Sequence, residues 1–142
     1  MRRREGVFLN KSLNKKVSQI IQQRNLHSIM NNTKWTELIS SIIQEMPFPP
    51  AFVIKYLTSE TKPSIDMMAC HYYGDWTGEN FPSVEYYFNI EWIKVQPRYY
   101  KHRGKLVSPE IVDGSKEFEA ILDKCYIPYE IDNEVYCIYG YK

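Results

Sequence analysis

Asn31-Asn32-Thr33-Lys34-Trp35-Thr36-Glu37-Leu38-Ile39-Ser40-Ser41-Ile42-Ile43-Gln44-Glu45-Met46 is the run on which the reading of the fold turns. Trp35, Leu38, Ile39, Ile42, Ile43 and Met46 recur at i, i+3, i+4, i+7, i+8 and i+11, a single apolar helix face roughly 100° wide or more. Asn32 or Thr33 can accept the orphan amide protons of the first turn, and Pro47 stops the helix.

The charge of the chain changes just before this run, at Met30. Residues 1–29 carry seven Lys/Arg against the single acid Glu5, and residues 30–142 carry eleven against sixteen. A leader near +6 therefore precedes a body near −5, inside a total of +1. Leu13, Val17, Ile20 and Ile21 recur at helical spacing in the leader, which reads as a basic helix. The expected organisation is a basic leader or extra helix over residues 1–29 and a single domain over residues 30–142. Met30 is then the start of that domain and a candidate translation start.

With 142 residues the chain can bury a conventional core, and 44% hydrophobic with 25% charged residues is a globular composition. Twelve Tyr, six Phe and three Trp favour strands and aromatic contact surfaces. No apolar run approaches the roughly 20 residues that span a bilayer, and the basic start lacks an apolar segment long enough for a signal peptide. The expectation is a cytoplasmic protein with no membrane partner. Cys70, Cys125 and Cys137 have neither CxxC spacing nor an even count, so they read as buried thiols.

Downstream of the first run, Pro49-Pro50 suits the first turn of a second helix reaching about Leu57, with Phe52, Val53, Tyr56 and Leu57 inward. Residues 65–73 fit neither period, and Gly74-Asp75-Trp76-Thr77-Gly78-Glu79-Asn80 forms a turn. Residues 84–95 read as the principal strand, Phe88, Ile90 and Trp92 on one face and Asn89 and Glu91 on the other, ended by Pro97. Residues 99–107 read as a small hairpin turning at Arg103-Gly104. Asp113 or Ser115 caps a helix with Phe118, Ile121, Leu122 and Cys125 inward, and residues 126–131 and 135–141 form a terminal hairpin turning at Asp132-Asn133. The fold class is α+β: N-terminal helices, then a mainly antiparallel sheet, with one helix before a C-terminal β-hairpin.

Three fragments, Asn32-Thr33-Lys34-Trp35-Thr36-Glu37-Leu38, Ile90-Glu91-Trp92-Ile93-Lys94-Val95 and Ile138-Tyr139-Gly140-Tyr141, together resemble a family of small bacterial proteins classed only as a domain of unknown function. The resemblance covers residues 31–142, with the initiator methionine of such proteins standing where Met30 stands here. It implies a domain boundary and no catalytic residue.

No constellation names a reaction. Cys70-His71 with Asp66 and Asp75 has the parts of a nucleophilic site, but adjacent strand residues point to opposite faces. His27, His71 and His102 are scattered, so no metal site or cofactor is expected. Two surfaces remain. Asp75, Trp76, Glu79, Tyr87 and Glu91 have the makings of aromatic anchors with an acidic rim, suited to a protein partner. Arg98, Tyr99, Tyr100, Lys101 and Arg103, within a stretch with no acid between Glu91 and Glu110, have the composition of a single-stranded nucleic-acid surface. The expected function is a non-enzymatic protein-interaction domain, with toxin neutralisation as an immunity protein its concrete form and nucleic-acid binding the alternative.

Overall fold

The computed structural model describes residues 2–65, 69 and 72–142, with side chains from residue 11 onward. Asp66, Cys70 and His71, and with them most of the ambiguous stretch 65–73, lie outside the described residues. Helix α1 spans Arg2–Arg24 and α2 spans Asn32–Glu45. The cap of α2 is Asn31, whose side-chain oxygen accepts a 2.8 Å bond from the Lys34 amide, and Met46 leaves the helix extended ahead of Pro47. Trp35, Leu38, Ile39 and Ile42 are buried, whereas Ile43 faces solvent, so the apolar face is narrower than the spacing predicts.

The expected second helix is instead a strand, β1, Ala51–Tyr56. Phe52-Val53-Ile54 are aromatic and β-branched residues that pack well on a pleated surface, and long-range pairing outweighs the local helix signal of the two prolines. Residues 84–95 also divide. Val84–Asn89 is a 3-10 helix that turns Tyr87 inward against Trp35, ring centroids 6.4 Å apart, and only Ile90–Gln96 is strand β2. Strands β3 (Arg98–Lys101) and β4 (Glu110–Asp113) pair antiparallel. The small hairpin is therefore present, but its return strand comes later than expected and its loop is residues 102–109, with Gly104 at φ +136°. Helix α3, Ser115–Lys124, buries Phe118, Ile121, Leu122 and Cys125 as its spacing predicts. Its cap position is Gly114, between the two expected candidates, and the Asp113 carboxylate accepts from the Ser115 amide at 2.9 Å.

Strands β5 (Glu130–Asp132) and β6 (Val135–Tyr139) form the terminal hairpin. Its two-residue turn is Asn133-Glu134, one residue later than expected, and both have positive φ as a turn matched to strand twist requires. The main sheet has the order β1-β2-β6-β5, antiparallel throughout. Ile93, Val95, Tyr136 and Ile138 on one face share a core with Trp35, Leu38 and Ile42 of α2 and Phe118, Ile121 and Leu122 of α3. The other face carries Lys55, Trp92, Lys94, Cys137 and Tyr139, which line a cleft together with Ile20 and Arg24 of α1.

Candidate functional site

A one-residue irregularity builds this cleft. Lys55 of β1 pairs with Trp92 and Tyr56 pairs with Ile90, so Glu91 has no partner on β1 and β2 bulges there. A bulge re-aims the side chains around it. Ile90 consequently joins Ile93 in the core while Trp92 lines the cleft, which corrects the expectation that Phe88, Ile90 and Trp92 share one face. Gly140 secures the distortion. Its amide and that of Tyr141 both donate to the Glu91 carbonyl, at 2.8 and 3.2 Å, and a Cβ on Gly140 would stand 2.1 Å from the Ile90 carbonyl oxygen.

Glu91 is thereby set against two cations. Arg24 donates from both terminal nitrogens, at 2.6 and 3.3 Å to the two carboxylate oxygens, and the Lys55 ammonium lies 3.3 Å from one of them. Burial works to raise the Glu91 carboxyl, but the Arg24 hydrogen bond and the two positive charges outweigh it and hold the group below the usual carboxylate range. The same contact raises the Arg24 guanidinium above its ordinary value. Lys94 sits 4.8 Å over the Trp92 ring. Burial pushes the Cys137 thiol and the Tyr139 phenol up from their ordinary values. The cleft offers charge to a ligand.

The acidic and aromatic residues picked from sequence do not share one surface. Trp76 is 3% exposed, donates from its indole nitrogen to the Pro50 carbonyl at 2.8 Å, and packs on Phe52 and Phe81. Tyr87 is also a core residue. Asp75 accepts from the hydroxyl and amide of Thr77 and from the Asn80 amide group, bonds that keep its carboxyl below the usual range. Glu79 is exposed on the same turn, and Glu91 belongs to the cleft.

The basic residues are held together at the β3–β4 hairpin. Arg98 anchors its base through a 2.5 Å ion pair with Glu134 of the terminal hairpin. The Tyr99 ring is engaged edge-on by Phe48 and Tyr73, centroids 4.6 and 4.9 Å away. Tyr100 is half-buried, while Lys101 and Arg103 are exposed, and Arg103 donates to the Ser108 carbonyl to brace the loop. Beyond them Leu106 is 100% exposed, with Val107 and Ile111 also in solvent. Sequence reading passed over these three apolar residues, and it passed over Lys55, although a lone cation in Phe52-Val53-Ile54-Lys55-Tyr56-Leu57 signals a buried charge in need of a partner.

Among the described residues no group of three His, Cys, Asp or Glu could hold a metal ion, and no helix is long and apolar enough to cross a membrane. The chain belongs to the family of unknown function DUF6678, whose profile matches residues 17–142. That span includes Val17, a buried residue of α1, and Arg24. No curated protein and no solved structure matches the chain.

Proposed function

We propose that this is a non-enzymatic, cytoplasmic protein-interaction module whose contact element is the β3–β4 hairpin. The observation that carries the reading is Leu106, fully exposed beside Val107 at the end of an anchored arm whose loop also holds His102, Arg103 and Lys105. A branched aliphatic side chain in water is costly for the free protein, and burying it in a partner returns about 2 kcal/mol. Surrounding cations suit a partner with an acidic rim around an apolar depression. An acidic face anchored by Trp76 and Tyr87 would have asked for a basic partner, as in toxin neutralisation. Both rings are core residues, so the expected charge of the partner is reversed.

The same arm bears on the nucleic-acid reading. Stacking needs an accessible π-face, and Tyr99 is occupied by Phe48 and Tyr73. The test is photo-crosslinking from position 107 in the native host, comparing the wild-type arm with Leu106→Asp. A discrete adduct lost in Leu106→Asp, with the melting temperature unchanged, supports the proposal. An adduct indifferent to Leu106→Asp overturns it, as does salt-sensitive binding of labelled single-stranded RNA or DNA that Arg98→Ala with Arg103→Ala abolishes.

A further inference from the structure

The cleft between α1 and the outer face of the sheet plays no part in docking through the hairpin. Its volume is about 750 Å³, within the range of small-molecule sites. Among the described residues four cationic side chains, Arg24, Lys55, Lys62 and Lys94, line it against two carboxylates, Glu60 and Glu91. Glu91 is already committed to Arg24 and Lys55, and among the described residues no acid lies within ion-pairing distance of Lys62 or Lys94.

We infer that this cleft binds a small phosphate monoester, with the phosphate on Lys55, Lys62 and Lys94. Lys55 is the strongest indication. Its side chain is only 6% exposed, and its ammonium donates to the Tyr56 carbonyl at 2.6 Å and to Glu91 at 3.3 Å. An ammonium has three N–H donors, so one is left without a protein acceptor among the described residues. That third donor is available to a ligand in the cleft, where an anionic oxygen accepts it in a charge-assisted bond. The surplus of two positive charges matches a dianion, which a phosphate monoester is near neutral pH and a single carboxylate is not. A cleft of this size also leaves room for an organic body beyond the phosphate.

Isothermal titration of the full chain with ribose 5-phosphate tests this, with ribose as the uncharged control. Saturable binding of one equivalent, absent for ribose, is expected. Lys62→Gln with Lys94→Gln should weaken it by about tenfold or more while the melting temperature holds, since each replaces a charge-assisted contact at the rim. Lys105→Gln, on the hairpin loop, should change nothing. Absence of saturable heat overturns the inference, as does equal weakening by Lys105→Gln, which would indicate diffuse attraction. Flotation with phosphatidylcholine vesicles carrying phosphatidic acid separates the sources of the phosphate: binding to those vesicles but not to ribose 5-phosphate overturns the assignment to a small molecule.

Discussion

Of the two cations on Glu91, Lys55 is 6% exposed and Arg24 is 46% exposed at the side chain, and substitution should distinguish them. Glu91→Gln keeps the shape and removes the charge, leaving the Lys55 ammonium buried without its counter-ion; breaking a buried pair from one side costs roughly 3 kcal/mol or more. Arg24→Gln disturbs a half-exposed pair and should cost about 1 kcal/mol or less. Urea denaturation of both variants checks the ranking, and equal losses would contradict the burial argument. The pH dependence follows from the same group. The Glu91 carboxyl titrates lower in the folded chain than in the unfolded one. Its contribution is therefore complete above the unfolded value of about 4.3 and is lost as pH falls through the folded value. Glu91→Gln should flatten the acid limb of the stability curve below about pH 4.3, and an unchanged limb would refute it. Sequence reading passed over Lys55 and could not have supplied its partners, because Glu91 is 36 residues away and Arg24 is a further 67 from Glu91.

Elements were legible in proportion to their length and to how far their signals are local. Helix α2 announces itself over fourteen residues of helical spacing, and Phe118, Ile121, Leu122 and Cys125 do the same for α3. Strand β1 has only six residues, too few to separate a strand period from a helix period beside Pro49-Pro50, and its identity is decided by pairing with β2. The bulge at Glu91 is invisible in the pattern and shifts the face of every residue after it, so Trp92 was assigned to the wrong side. Gly140 carries the testable consequence. Gly140→Ala drives a Cβ into the Ile90 carbonyl, where only a backbone shift can relieve it, and should lower stability by several kcal/mol or prevent folding, judged as a strained backbone site. Gly78→Ala meets nothing within 4 Å and should stay within about 0.5 kcal/mol of wild type by thermal melting. Comparable losses at the two glycines would mean that the close approach at Gly140 is not what holds the bulge.

At the scale of the whole molecule, the charge break at Met30 becomes a contact. The basic leader and the acidic body meet where Arg24 of α1 pairs with Glu91 of β2, and the segment after α1 runs back along the chain's other end: Ser28 bridges Tyr141, and His27 exchanges backbone hydrogen bonds with Lys142 at 3.0 and 2.9 Å. Val17 is 2% exposed, the one fully buried residue among the described side chains of α1. These contacts all lie from residue 17 onward, a point inside the helix and well before the change in charge. A chain starting at residue 17 keeps Val17, Arg24 and the bridge to Tyr141, and should melt within a few degrees of the full protein. A chain starting at Met30 loses all three. The Val17 side chain alone is worth about 2 kcal/mol by burial, which for a protein of this size corresponds to a fall of roughly 5–10 °C. Paired melting curves of the two truncations decide it: if the chain from Met30 melts with the full protein, residues 17–29 are dispensable to the fold and the autonomous unit is residues 30–142, whereas the predicted fall makes the second half of α1 a structural part of the domain.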